Sequence, residues 1–201
     1  MENRFKMENV LFDYLGKYIK LTDEEKKAII DLDIFKQCKK GTLLLKEGQL
    51  SDDGYFVIKG CIRRYYIIDG VEKTTAFYTE AEAHEPLCKV NRKSSAYFIS
   101  CVEDSILIIA NSEMEEVIYH KSPKFETLCR LLSEELLAKS KIEFDEFKLL
   151  SPENRYLQLL QTRPDLLQRV PQYQLASFLG ITAQSLSRMR NRLAGSGVSH
   201  V

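Results

Sequence analysis

The chain has 201 residues, 44% of them hydrophobic, which suits one large or two small domains with packed cores. Lysine plus arginine and aspartate plus glutamate both number 29, so the zero net charge excludes any global attraction to nucleic acid. A membrane span needs about 18 consecutive apolar residues, and none occur; the charged start MENRFKMENVLFDYL does not look like a signal peptide, so a cytoplasmic location is expected.

The first elements read as helices, over Val10–Leu15 and Leu21–Leu32. Thr22 followed by Glu25 forms a capping box ahead of the second. From Phe35 to Ala110 the character turns β-rich. Strands are expected at Thr42–Leu45, Gly54–Ile58, Ile62–Ile68, Glu72–Tyr78, Ala96–Val102 and Ser105–Ala110. Asp69-Gly70 between two of them is a strong hairpin signal. Many short strands at this spacing argue for a small barrel or jelly roll. The five cysteines, at 38, 61, 88, 101 and 129, are widely spaced with no C-x-x-C pair. They are expected as free, mostly buried thiols, with no zinc or iron–sulfur site.

The period then becomes helical. Ser112 can cap a helix opened by Glu113, Glu115 and Glu116. Pro123 can open a longer one reaching Leu149. Its apolar stripe is Phe125, Leu128, Leu132 and Leu136, continued by Ile142 and widened by Leu131 and Leu137. One edge can pack on the β-rich part and the other on a partner helix. Ser151-Pro152 breaks the chain, and a helix starting at Pro152 turns Tyr156, Leu157, Leu159 and Leu160 inward.

Residues 172–191, QYQLASFLGITAQSLSRMRN, read as two short helices around a tight turn. Leu175, Leu179, Ile181, Leu186 and Met189 supply the buried contact, and Ala176 permits close approach. Pro171 suits the first position of the first helix. Gly180 suits a turn needing positive φ, and Thr182 can cap the second helix. The outward face is Gln184, Ser185, Ser187, Arg188 and Asn191, side chains that hydrogen-bond base edges and phosphates. This is the layout of a helix-turn-helix, which places its second helix in the DNA major groove. From Ser151 onward six arginines face two acids, a net charge of +4, which leaves −4 on residues 1–150. A basic tip on an acidic body favours phosphate contact at one end.

A glycine-punctuated roll, a long helix and a C-terminal helix-turn-helix together resemble the cyclic-AMP receptor protein and Fnr (Crp/Fnr) family of bacterial transcription regulators. KKGTLLLKEGQ (39–49), YFVIKGCIRRYY (55–66), EKTTAFYTE (72–80), the long helix and VPQYQLASFLGITAQSLSRMR (170–190) carry the resemblance. It implies an α+β chain in three parts. Residues 1–122 form a cyclic-nucleotide-binding-like β-roll (a double-stranded β-helix or jelly roll) with flanking helices. Residues 123–150 form the dimerisation helix and hinge, and 151–201 the helix-turn-helix domain. It also implies a homodimer on a two-fold symmetric site in double-stranded DNA, with RNA polymerase as a further partner and no membrane. The family's guanine-reading arginine matches Arg188. The glutamate that often precedes it is replaced by Gln184. Ser185 falls where a phosphate-contacting hydroxyl is usual, and Thr182 opens the recognition helix. Arg190 and Arg192 are expected at the backbone or against the domain. The short tail after Leu193, AGSGVSHV, leaves little room for a β-wing.

The effector segment departs from the family. Nucleotide binders carry Gly-Glu and then Arg-Ser or Arg-Thr. The matching stretch here, TEAEAHEPLCKVNRKSSAYFI (79–99), holds no glycine. The candidate pocket residues are Glu80, Glu82, His84, Arg92, Ser94 and Ser95. Glu80, Glu82 and Glu85 place negative charge where a phosphate would sit, against one displaced Arg92. Cyclic AMP and cyclic GMP are therefore not expected, and no cofactor is assigned. His84 and Cys88, spaced i, i+4, could meet a metal if helical, but a lone histidine near acids is more often a surface residue. Two other classes stay open: a ligand-binding regulatory roll acting on a protein partner, and a cupin-like metal enzyme. The enzyme is disfavoured, because histidines occur only at 84, 120 and 200, without H-x-H.

Overall fold

The computed structural model describes residues 2–195, so the tail from residue 196 and any β-wing there lie outside the described residues. Two helices lead: α1 (Glu2–Leu15) and α2 (Asp23–Ile30). The capping box forms as expected: Thr22 Oγ1 accepts from Glu25 N at 3.2 Å, and Glu25 Oε2 accepts from Thr22 N at 2.8 Å.

Eight strands follow: β1 (Phe35–Cys38), β2 (Leu43–Leu45), β3 (Gly54–Lys59), β4 (Ile62–Ile68), β5 (Val71–Tyr78), β6 (Ala83–His84), β7 (Phe98–Cys101) and β8 (Ser105–Ala110). They build two antiparallel four-stranded sheets, ordered β1-β8-β3-β6 and β2-β7-β4-β5. Leu45, Ile62 and Ile99 of one sheet meet Val57 and Leu107 of the other in a shared core, where each of the five is fully buried. Burying each such side chain is worth about 1.5–3 kcal/mol. The β4–β5 hairpin pairs Ile62 with Tyr78 through Ile68 with Val71. Asp69 and Gly70 both have positive φ (51° and 74°), the backbone a two-residue hairpin turn demands.

Four elements escaped the sequence-based expectation: β1, β6 and the short helices over Leu87–Asn91 (α3) and Leu166–Arg169. The cap of the next helix, α4 (Ser112–Lys121), is Asn111 rather than Ser112. The Asn111 side chain accepts from Met114 N at 2.9 Å. α1, α2, α4 and the start of α5 (Lys124–Leu149) cover the outer face of the first sheet at Phe56, Ile58 and Ile108. Four shorter helices complete the described chain: α6 (Pro152–Thr162), α7 (Leu166–Arg169), α8 (Gln172–Leu179) and α9 (Ala183–Gly195). Ser151 caps α6 through Asn154 N, with Pro152 in its first turn. Tyr156, Leu166, Val170 and Leu175 of this helical module share a core with Cys61, Phe77 and Val102 of the roll. The module is thus docked on the roll. The cysteines form no disulfide, and Cys61, Cys88 and Cys101 are buried. No described helix is long and apolar enough to cross a membrane.

Candidate nucleic-acid interface

α8 ends where its sequence stops supporting a helix. Gly180 takes the left-handed conformation (φ 75°, ψ 26°). Its N–H donates to Ser177 O, and Ile181 N–H donates to Ala176 O, both at 3.0 Å. This reciprocal pair satisfies two carbonyls that the helix end would otherwise orphan. Pro171 sits one place earlier than expected, as the extended residue before α8. Its ring fixes φ, and its missing N–H costs nothing there. Thr182 then caps α9: its Oγ1 accepts from Ser185 N at 3.1 Å.

Packing decides which face of α9 is presented. Leu186 is 0% exposed and Met189 8%, held against Leu175, Ala176 and Leu179 of α8. Ala176, itself 1% exposed, lies in that contact. Rotation about the α9 axis would pull Leu186 into water. With that face pinned, Thr182, Gln184, Ser185, Ser187, Arg188 and Asn191 are all exposed, and Arg190 is half-buried. Thr182 also donates to Ser185 Oγ at 2.9 Å, which orients the serine hydroxyl. Arg192 pairs with Glu153 of α6, so it braces the module. The surface combines one exposed row of amide, hydroxyl and guanidinium groups on a helix pinned by its buried face, chemistry suited to base edges and phosphates.

Most of the expected effector residues have partners within the chain. Glu80 accepts from Gly60 N at 2.8 Å and binds Arg169 at 2.8 Å. Burial pushes its carboxyl up, but the Arg169 and Gly60 hydrogen bonds outweigh that and hold it below its ordinary value. Glu82 accepts from Thr79 N at 2.8 Å, from Arg163 at 3.0 Å, and from Lys139 of α5. Both acids are therefore occupied by cations of the chain itself. Arg92 is exposed and closes α3 in the left-handed region (φ 57°), and Ser94 is exposed beside it. Ser95 is buried, with its hydroxyl donating to Tyr97 O at 2.8 Å.

His84 is a correction: it is buried (7% exposed), not at the surface. Its ring packs 4.7 Å from that of Tyr78 and lies 3.5 Å from the Tyr97 hydroxyl. Burial, and then the charge of Arg64, lower its pKa to about 3, so it is neutral at pH 7. His84 is in a strand and Cys88 in α3, so the two do not share one helix face.

The long helix divides its apolar residues. Phe125 and Leu128 are 4% exposed and belong to the core beneath the roll, with Leu132 packed beside them. Phe125 and Leu128 thus serve their own chain rather than a partner, because α4 and the first sheet already cover them. Leu136 is half-buried, whereas Leu137, Ile142 and Phe144 are exposed at 57–59%. Sequence spacing could not separate these groups, since the stripe continues unbroken along the helix. No local sequence signal marks Arg163 and Arg169, which dock the module on the roll.

No protein-family model and no curated protein sequence matches the chain. Solved structures do. FixK2 from Bradyrhizobium japonicum aligns with a TM-score of 0.66 at 15% identity, covering 81% of this chain and 85% of that one. A transcriptional regulator of the Crp/Fnr family from Eubacterium rectale gives 0.65 at 20% identity, covering 88% and 85%. The c-di-GMP responsive global regulator CLP of Xanthomonas campestris gives 0.64 at 15%, covering 87% and 95%. The described helices and antiparallel sheets, in their order and arrangement, have the fold of the Crp/Fnr regulators.

Proposed function

We propose that this chain is a sequence-specific DNA-binding transcription regulator of the Crp/Fnr type, and not an enzyme. α8 and α9 act as its helix-turn-helix, and Thr182, Gln184, Ser185, Ser187, Arg188, Arg190 and Asn191 face the duplex. One observation carries this reading: Leu186 and Met189 are locked in the core while the polar face between them stays open to solvent. Arg188 is the base-reading side chain, and a guanidinium fork suits guanine O6 and N7. Gln184 can serve adenine N6 and N7 by the same geometry.

The regulator works as a homodimer. Residues 1–122 form the roll, 123–150 the pairing helix and 151–201 the DNA-binding unit. The partner helix covers half-buried Leu136 together with Leu137 and Phe144, apolar surface that a lone chain leaves largely in water. Two recognition helices then enter successive major grooves of a two-fold symmetric site, about 34–36 Å apart. RNA polymerase is the downstream partner of such a regulator. Control is independent of cyclic AMP and cyclic GMP. Glu80 and Glu82 offer carboxylates where a cyclic phosphate needs donors, and Arg92 stands apart at the surface.

Selection of bound duplexes from a random pool, followed by gel shifts across a salt series, tests the proposal. A palindromic consensus with a steep fall of affinity with salt supports it. Recovery of no consensus, together with salt-independent retention, sinks it.

A further inference from the structure

Resting on the DNA-binding reading above, we infer that Arg169, seconded by Arg163, is a positioning residue that sets the half-site spacing accepted by the dimer. It does so by fixing the helical module to the roll at one end, where three separate loops converge on a single guanidinium.

Arg169 ends α7, three residues before the start of α8. Its Nη1 donates to Glu80 Oε2 at 2.8 Å, and its Nη2 to Glu80 Oε1 at 2.9 Å. Its Nη2 also donates to Gly60 O at 2.7 Å, and its Nε to Glu103 Oε1 at 2.9 Å. Glu80 follows β5, Gly60 lies in the β3–β4 turn, and Glu103 lies between β7 and β8. Only a planar fork with donors on several edges can hold these three at once, and a lysine could not. Asp165 pairs with the same guanidinium from within its own module at 3.0 Å.

Two further points complete the attachment. Arg163 donates to Phe77 O at 3.3 Å, Thr79 Oγ1 at 3.0 Å and Glu82 Oε2 at 3.0 Å. The other oxygen of Glu82 takes Lys139 of the pairing helix, so one carboxylate joins α5, the module and the roll. Ser177 of α8 accepts from Thr74 N at 2.9 Å and donates to Glu72 O at 3.1 Å. Beneath them Leu166 and Val170 are buried on Cys61 and Phe77. Contacts at three separated places fix a body in all its rotations.

None of these contacts uses the recognition face. Gln184, Ser185, Ser187, Arg188 and Asn191 remain exposed while the module is docked. The docking therefore positions α9 without covering it. In a dimer, the distance between two recognition helices follows from the α5 pairing and from this attachment. A firmly docked pair matches one spacing. A loosened pair reaches several, at a lower effective concentration for each.

The test uses the full chain and duplexes carrying two selected half-sites, with the spacer shortened or lengthened by one or two base pairs. A single half-site serves as control. For the parent, a one-base-pair change should cost about tenfold in affinity or more. In Arg169→Met and Glu80→Gln, affinity at the optimal spacing should fall about three- to tenfold, and the spread across spacers should shrink to about threefold. Half-site affinity should stay within about twofold, because α8 and α9 are intact. Arg169→Lys should resemble Arg169→Met, since charge without the fork does not restore the attachment. If Arg169→Met does not fold, Glu80→Gln decides, because the Glu80 side chain is 43% exposed and glutamine still accepts from Gly60 N. The inference is overturned if the variants keep the parent's spacer profile. It is equally overturned if they bind every spacing more tightly than the parent, which would make the docking a restraint. If the parent binds no duplex, even as a half-site, the DNA-binding reading itself fails and takes this inference with it.

Discussion

Arg155 donates to the carbonyl of Leu179 at 2.9 Å, linking the first turn of α6 to the last residue of α8. The same guanidinium donates to Phe147 O at 3.1 Å and lies 4.1 Å from the Phe147 ring centroid. A single side chain thus caps the C-terminal ends of two helices, the long helix α5 and the helix before the Gly180 turn. Cations are favoured at such ends, where unpaired carbonyls concentrate partial negative charge.

Arg155→Met should therefore cost about 1.5–3 kcal/mol, the range for hydrogen bonds from a charged group. Methionine retains most of the apolar stem, so the loss reports the caps rather than packing. Denaturant unfolding measures it. A change below about 0.5 kcal/mol, the scale of an ordinary surface substitution, would show that the caps carry no net stability.

Gly180→Ala isolates backbone strain. The glycine has φ 75°, and a Cβ there would meet nothing nearer than Arg155 Nη2 at 3.7 Å. Space is not limiting, so the left-handed backbone should set the cost at about 1–2 kcal/mol. Gly180→Asn should cost less than alanine, because a short polar side chain tolerates this conformation. Equal midpoints for the alanine variant and the parent in urea would contradict the assignment.

What could be read in the chain follows the range of each physical signal. The Thr22–Glu25 capping box, the Asp69-Gly70 hairpin and the Gly180 turn are local, settled by residues a few positions apart. β1 has no such signature. Its sequence, FKQC, is exposed at both middle positions, and its register depends on β8, where Phe35 meets Ile108. The docking fork joins Arg169 to Glu80, 89 residues away. Its only trace in the sequence is the opposite charge of residues 1–150 and 151–201. The acids of segment 79–99 show in the sequence only as negative charge, and their partners come from helices that spacing alone cannot place beside them.

His84 should make the roll sensitive to acid. Its folded pKa, about 3, lies below the ordinary 6.5, chiefly because burial penalises the charged ring and also because Arg64 repels it. Below pH 6.5 the unfolded chain takes up a proton that the folded chain refuses until about pH 3. Stability from this residue is therefore unaffected above pH 6.5 and is lost as the pH falls toward 3. The slope can reach about 1.4 kcal/mol per pH unit. His84→Phe should flatten the stability profile between pH 6.5 and 5 by the share that this ring contributes. Thermal midpoints across that window, unchanged in slope by the substitution, would place the histidine in a solvated site instead.

Arg188→Ala should distinguish base reading from general attraction. Loss of a bidentate contact to guanine costs about 1–3 kcal/mol and relaxes preference at one base pair of each half-site. A phosphate contact behaves differently: its loss weakens all sequences alike and lowers the salt slope by about one ion. The exposed place of Arg188, one residue before the buried Met189 and away from Glu153, which holds Arg192 instead, leaves its guanidinium available for the groove. Binding of the parent and variant to the selected site and to single-base variants, at two salt concentrations, separates the outcomes. Specific relaxation at one position with an unchanged salt slope assigns Arg188 to a base. A uniform loss with a shallower slope assigns it to the backbone, and base recognition would then rest on Gln184 and Asn191.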